Sequence, residues 1–343
     1  MSSRDVRKPG KAGSWYLADA KQLAEQLEGF LDDVPSQINS SDVPIPGARV
    51  IIAPHAGYSY SGPTAAWAYK SLDLSQTKRV FLLGPSHTFY LKGCAVTTFK
   101  HYGTPFGNIR VDEEVTSTLR TALSLPDMPP ANDNKEHSLE MHLPYLWTMF
   151  AKTFGSPDAF PTLVPILVGD GTKTAERAVG AWLLPYLRDP ANAFVVSSDF
   201  CHWGDNFSYT PYSPHAKVDG SLSHISSRSR VPAGRPIHET IKELDDQAIA
   251  AIKTGEYARF YDNLSLTKNT VCGRHPIGVM MAALELLAEE EGRGGEDKGR
   301  FQFVRYERSN LVEDADDMSV SYVSARMVVM GSMDGNIIAS LVD

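Results

Sequence analysis

The chain is poor in the features that would mark it as secreted, membrane-embedded or nucleic-acid-binding. It has three cysteines, Cys94, Cys201 and Cys272. That odd count, with no C-x-x-C, excludes a disulfide framework and a structural zinc site of the usual kind. A reducing compartment follows, the cytoplasm or the nucleus. No apolar run reaches the length needed to cross a bilayer, and Met1–Gly10 lacks the apolar stretch of a signal peptide, so no membrane insertion is expected. Basic residues are outnumbered, and a formal charge of −8 with a pI near 5.7 argues against a nucleic-acid partner. Several catalytic signatures are missing as well. There is no G-x-x-x-x-G-K-[ST] loop, no G-x-G-x-x-G after a strand, no G-x-S-x-G elbow and no H-E-x-x-H.

What remains has the composition of an ordinary globular protein, 343 residues with 42% hydrophobic and 22% charged. Short apolar runs alternate with helical periodicity throughout. Leu23, Leu27, Phe30 and Leu31 share one face of a helix predicted over Asp19–Leu31, with Asp19 as its N-cap. Val50–Ala53 and Val80–Leu83 read as buried strands. Between them Gly57–Pro63 reads as a turn and Thr64–Ser71 as a helix, a strand–helix–strand unit of about 35 residues. Further strands are predicted at Leu163–Val168, Ala193–Ser197 and Val320–Met330. Helices are predicted at Leu139–Phe154, Ala175–Leu187, Ile241–Thr254, Tyr257–Leu264 and Ile277–Glu290. The pattern predicts the α/β class: a single domain over residues 1–343 with a central mixed, largely parallel sheet flanked by helices. Ser213–Pro236 and Glu289–Arg300 read as solvent-exposed loop insertions.

Residue types suited to metal and proton chemistry recur just past the strands, at the sheet edge where open α/β folds bind ligands. His55 follows Val50–Ala53 through Pro54, and His87 follows Val80–Leu83 through Gly84-Pro85-Ser86. Imidazole is the commonest metal ligand among side chains. Cys272, in Cys272-Gly273-Arg274-His275-Pro276, is the candidate third ligand; the alternative is a buried cysteine that only packs. A thiol beside Arg274 and a helix N-terminus is expected to have a lowered pKa. Asp199 and His202, in Ser197-Ser198-Asp199-Phe200-Cys201-His202-Trp203, read either as an acid–base pair or as a capping aspartate beside a His–Trp packing unit. Glu136-His137-Ser138-Leu139-Glu140-Met141-His142 adds His137 and Glu140, which at i, i+3 would share a helix face, and His142, which would not. Tyr58 is a candidate for the pocket wall.

Six stretches in order carry a resemblance: Ala12–Tyr16, Ala53–Tyr58, Leu83–His87, Glu136–Pro144, Ser197–Gly204 and Cys272–Gly278. Together they resemble the Memo family, named for mediation of receptor-tyrosine-kinase-driven cell motility, over about Gly10 to Met330. The resemblance implies a fold shared with class III extradiol ring-cleaving dioxygenases, which hold iron with two histidines and a carboxylate. It implies His55 and His87 as the matching histidines, Cys272 where the carboxylate is expected, and His202 as the counterpart of the catalytic histidine. It also implies copper or iron with redox activity, and phosphotyrosine-containing receptor peptides as partners at the same pocket. A thiolate in place of a carboxylate softens the site toward copper, and the thiolate itself is oxidisable. The readings therefore rank as a redox-active copper or iron protein in signalling and cytoskeletal control, then a phosphotyrosine-peptide adaptor, then an extradiol dioxygenase.

Overall fold

The central strands are apolar along most of their length, with polar residues confined to their ends, because they are covered on both faces. In the computed structural model, which describes residues 5–215, 218, 222–226, 228, 234–293 and 300–329, these strands build one eight-stranded sheet. They are β1 (Ala48–Ala53), β2 (Arg79–Pro85), β3 (Cys94–Val96), β4 (Thr162–Val168), β5 (Asn192–Ser197), β6 (His202–Trp203), β7 (Gln302–Arg308) and β8 (Ser319–Val328). The order is β6-β8-β1-β5-β2-β4-β3, with β7 paired to β8. The four middle strands β1, β5, β2 and β4 are parallel. Antiparallel strands close both sides. The mixed, mostly parallel sheet matches the sequence-based expectation, although Met330 lies outside the described residues.

Ten helices accompany the sheet among the described residues: α1 (Ala20–Asp32), α2 (Tyr58–Ser71), α3 (Glu113–Leu123), α4 (Pro130–Asp133), α5 (His137–Glu140), α6 (Leu143–Phe154), α7 (Lys173–Arg188), α8 (Ile237–Lys253), α9 (Tyr257–Thr267) and α10 (Arg274–Glu290). The sheet's period of two sorts its side chains into two cores. Ile51, Ala53, Val80, Leu82 and Val195 pack toward α1, α2 and α6. Val50, Ile52, Phe81, Leu83 and Val196 pack toward α7, α9 and α10. None of these helices is long and apolar enough to cross a membrane.

α1 forms as expected, with Leu23, Leu27 and Leu31 buried and the Asp19 side chain accepting from Gln22 N–H. Three expectations need correction. α2 begins at Tyr58, not Thr64, so the glycine-rich stretch is helix rather than turn. Gly62 serves packing there, since a Cβ would lie 2.6 Å from the Phe30 ring. Pro63 sits on the exposed side, where water can satisfy the Ser59 carbonyl that loses its helical donor.

The helix predicted from Leu139 to Phe154 is two helices, α5 and α6, broken at Met141-His142. Pro144 has no N–H to continue the first ladder and fits the opening turn of a second. Nor is Ser213–Pro236 wholly exposed. Ser213 and Val218 are buried, and Val218 packs with Tyr212, Ile237, Ile241 and Val312 in a third, smaller core. Leu222 and Ile225 rest against it. Other residues of that segment, like 294–299 in the second insertion, lie outside the described residues.

Candidate metal centre

β1 and β2 are not neighbours; β5 lies between them. Strands two apart are separated by about 10 Å. His55 and His87 nevertheless lean over the carboxyl end of β5 until their ring centroids are 5.2 Å apart. Cys272 reaches the same point from the loop before α10, with its Sγ 3.3 Å from His55 Nε2. One ligand atom from each of His55, His87 and Cys272 falls within 4.8 Å of the other two. Gly273 makes this approach possible, because a Cβ there would stand 2.4 Å from the Ser197 carbonyl oxygen.

The outer partners of the two rings fix which nitrogen faces inward. Ser197 Oγ donates to the Ser138 carbonyl at 2.7 Å, so it must accept from His55 Nδ1–H at 2.6 Å. Glu136 accepts His87 Nδ1–H at 3.1 Å and the His87 backbone N–H at 2.8 Å. Both rings are thereby held with Nε2 carrying a lone pair. That is the usual support for a metal-binding histidine, where the second nitrogen is tied to an oxygen. The donor set is soft and small, and it fits copper or iron bound through His55 Nε2, His87 Nε2 and Cys272 Sγ.

Burial pushes His55 well below the ordinary histidine pKa, with the imidazoles of His87, His137, His142 and His202 adding to the effect. Burial, then His87, lowers His137 to about 3. Burial works against ionisation of Glu136, but hydrogen bonds from the His87 ring and the His87 and Ser138 backbone overcome it and lower this carboxyl to about 2. Asp199 moves the other way, raised by burial to about 6. The expected lowering of the Cys272 thiol is overturned. Burial and the neighbouring Asp199 push it well up, and Arg274 turns away toward Asp170, 3.6 Å distant.

The remaining candidates divide. Asp199 is at the centre: Oδ1 accepts His55 N–H at 2.8 Å, Oδ2 is 3.9 Å from His55 Nε2, and its own N–H donates to Cys272 Sγ at 3.3 Å. It is not a helix cap. His202 stands on β6 at the rim. Its backbone N–H donates to Thr270 Oγ1 at 2.7 Å, its Nδ1 donates to the Phe200 carbonyl at 2.8 Å, and its ring meets Phe207 edge-on at 5.1 Å. His137 stacks on His87 at 4.3 Å and lies against Trp15 at 4.5 Å. His87, Glu136 and His137 form a second close group of ligand types, though Glu136 already accepts the His87 proton.

Glu140, His142 and Tyr58 are not in the site. The break after α5 leaves Glu140 facing the N-terminal segment, where it accepts from Arg7 Nη1 at 2.7 Å, Tyr16 OH at 2.7 Å and Lys11 N–H at 2.6 Å. His142 is buried with its Nδ1 2.7 Å from Tyr69 OH. Tyr58 OH donates to the Met141 carbonyl at 2.7 Å.

Ser197 and Glu136 are the functional residues that sequence reasoning passed over. Each stands in a motif already singled out, but its partner lies 142 or 49 residues away. Ser197→Ala is expected to free the His55 ring and weaken metal binding by roughly 10–100-fold with the fold unchanged. Competition with a chromophoric chelator measures it, and an unchanged affinity would show that Ser197 does not orient the ligand.

A cavity of about 200 Å³ opens beside the cluster, lined by His87, Phe89, Tyr90, Cys272, Arg274 and His275 among others. A larger groove of about 810 Å³ lies between α8 and β7, near Val328. It is at the opposite end of the sheet, because Val328 pairs with Ala48 at the start of β1. None of the candidate ligands reaches it.

Fold and site together define an α/β protein with a two-histidine, one-thiol candidate metal centre at the carboxyl edge of its sheet. Residues 7–326 match the family described as Memo: Memo-like protein. "Protein memo-1 homolog" of Caenorhabditis elegans is 40% identical over 324 residues, covering 94% of this chain and 83% of that protein. "Protein MEMO1" of Xenopus tropicalis is 41% identical and that of Homo sapiens 39%, each over 330 residues, 96% of this chain and 100% of the relative. The chain belongs to the Memo family.

Proposed function

We propose that this Memo-family chain is a metalloprotein that binds one copper or iron ion through His55, His87 and Cys272 and uses it for redox chemistry in signalling and cell-motility control. The observation that carries this reading is the pair of outer hydrogen bonds, Ser197 on His55 and Glu136 on His87, which leave both Nε2 atoms with a lone pair in a cluster where the Cys272 sulfur lies 3.3 Å from His55 Nε2. A packing role for these side chains would not require that tautomer. A bound copper or iron ion would supply one-electron exchange with dioxygen or peroxide. Asp199 holds the His55 backbone, and His202 stands at the rim as a group for proton transfer.

The test is anaerobic titration of the purified protein with Cu(I) and with Fe(II), followed by redox cycling of the loaded sample. One tightly bound ion and reversible oxidation are expected; no binding of either ion would overturn the reading. His202→Ala should leave binding reduced by at most about 10–100-fold while the redox rate falls. An unchanged rate would return His202 to a packing role.

A second reading has one observation in its favour. The cavity beside the centre joins Arg274 to Phe89 and Tyr90, a cation next to aromatic walls, as a phosphotyrosine-containing peptide would need. It ranks second because Arg274 already faces Asp170. Binding of a phosphotyrosine peptide, compared with its unphosphorylated form on the same sample, decides it. Extradiol ring cleavage ranks third, since the third ligand is a thiol where those enzymes use a carboxylate.

A further inference from the structure

The motif that brings Cys272 to the centre also carries His275, which none of the roles above uses. His275 is on the first turn of α10, mostly buried, and lines the same cavity as His87 and Cys272. Its Nδ1 donates to Glu176 Oε1 at 2.7 Å. Its Nε2 lies 3.4 Å from Oδ1 of Asp170, an exposed residue at the cavity wall. The imidazole therefore spans the distance between solvent and a buried carboxylate.

Glu176 is an unusual partner. It is 3% exposed on α7 and pairs with no guanidinium or ammonium group among the described residues. Instead it accepts from Tyr257 OH at 2.7 Å and Tyr261 OH at 2.5 Å as well as from His275. Room for it was made on the facing helix. A Cβ at Gly278 would lie 2.3 Å from Glu176 Oε2 and 2.6 Å from Tyr261 OH. A buried carboxylate held by two phenols and aimed at one imidazole nitrogen fixes the ring's orientation and tautomer, the role an orienting carboxylate plays behind a general base. Packing alone would be served better by apolar side chains at these positions.

We propose that His275 is the group that moves protons into and out of the cavity beside His87 and Cys272, and that Glu176 is its positioning residue. The proposal rests on the redox reading of the centre. With ascorbate as reductant the balance is ascorbate monoanion plus dioxygen plus one proton giving dehydroascorbate and hydrogen peroxide. Two electrons pass from ascorbate to dioxygen, and the two protons of the peroxide come from ascorbate and from solvent. His275 delivers through Nε2 the proton that solvent supplies. It recovers one at the Asp170 side while Nδ1–H stays on Glu176.

The experiment compares the wild type with His275→Gln, His275→Ala, Glu176→Gln and Glu176→Asp in three measurements. These are copper affinity, ascorbate-driven oxygen uptake by the copper-loaded protein, and NMR of the histidine ring protons in the metal-free protein. His275→Gln keeps a donor for Glu176 and so guards against loss of the fold. Expected are unchanged copper affinity, a loss of about 100-fold in oxygen uptake for both His275 variants, and partial restoration of His275→Ala by added imidazole. Glu176→Gln should lose uptake and Glu176→Asp recover part of it. The metal-free wild type should show a slowly exchanging Nδ1–H signal that disappears in Glu176→Gln. Full uptake without His275 overturns this proposal alone, and so does a His275 variant that loses copper, since His275 would then hold the site and not its protons. A wild type that binds no metal, or binds it without redox activity, overturns the underlying reading and this proposal with it.

Discussion

Cys272→Ser is expected to abolish tight copper binding, a loss of more than about 100-fold, because removing a ligand costs more than removing the partner that orients one. The change is sharp because it is nearly isosteric. Serine keeps the space beside Gly273 and can still accept the Asp199 N–H that now meets the sulfur at 3.3 Å. What it removes is softness, since a neutral hydroxyl is a hard, protonated oxygen at pH 7 and a poor match for Cu(I). Cys272→Asp should instead favour Fe(II) over copper by restoring a carboxylate. Titration of both variants under anaerobic conditions, with circular dichroism as the control for folding, gives the answer. A Cys272→Ser protein that binds copper as tightly as the parent would remove the cysteine from the ligand set. Asp199 would then be the next third ligand, its Oδ2 being 3.9 Å from His55 Nε2. Glu140 would not, because it is committed to Arg7.

His55 and His87 stand out in the sequence because each follows a buried parallel strand, an apolar run whose end marks the edge where ligands sit. Cys272 follows no strand; what singles it out is its place just before a proline-opened helix. The environment of those residues was not legible in the same way. Ser197 and Glu136 act on rings far away in the chain, and local spacing carries no trace of such a pairing. The Cys272 thiol was misjudged for a related reason. Its sequence neighbours are a glycine and an arginine, but burial and Asp199 dominate its surroundings while Arg274 turns outward. Glu140 and His137 looked like one helical face, and the break before Pro144 makes α5 a single turn whose two ends serve different partners. The strand β7 carries no clear strand signal because it is only partly buried and Gln302, Arg305, Glu307 and Arg308 interrupt both an apolar run and a strict alternation. α3 is amphipathic on Val115 and Leu119, but threonines and serine dilute the pattern.

The N-terminal segment was legible only as a motif, yet it carries the second large expected effect. Arg7 is fully buried and anchors that segment to the turns that build the site. Its Nε donates to the Asp133 carbonyl at 3.0 Å and its Nη2 to the Glu136 carbonyl at 2.6 Å. Its Nη1 pairs with Glu140 Oε2 at 2.7 Å, and Asp133 Oδ1 is 3.3 Å from Nε. One guanidinium thus compensates two carboxylates that have no exposure to water. Tyr102 and Tyr16 donate hydroxyls to Asp133 and Glu140, but a phenol supplies no positive charge. Arg7→Met, which keeps most of the side chain's volume, is therefore expected to cost about 3–5 kcal/mol, the penalty for stranding a buried charge. Chemical denaturation should show a lower midpoint with an unchanged slope. Metal affinity should fall with it, because the Glu136 backbone that Arg7 holds is the one whose side chain supports His87. Arg7→Met with Glu140→Gln and Asp133→Asn should recover much of the loss, since neutral amides have no charge to strand. A single Arg7→Met variant as stable as the parent would mean that water reaches this network, and the N-terminal segment would then be a passive strap rather than a support of the centre.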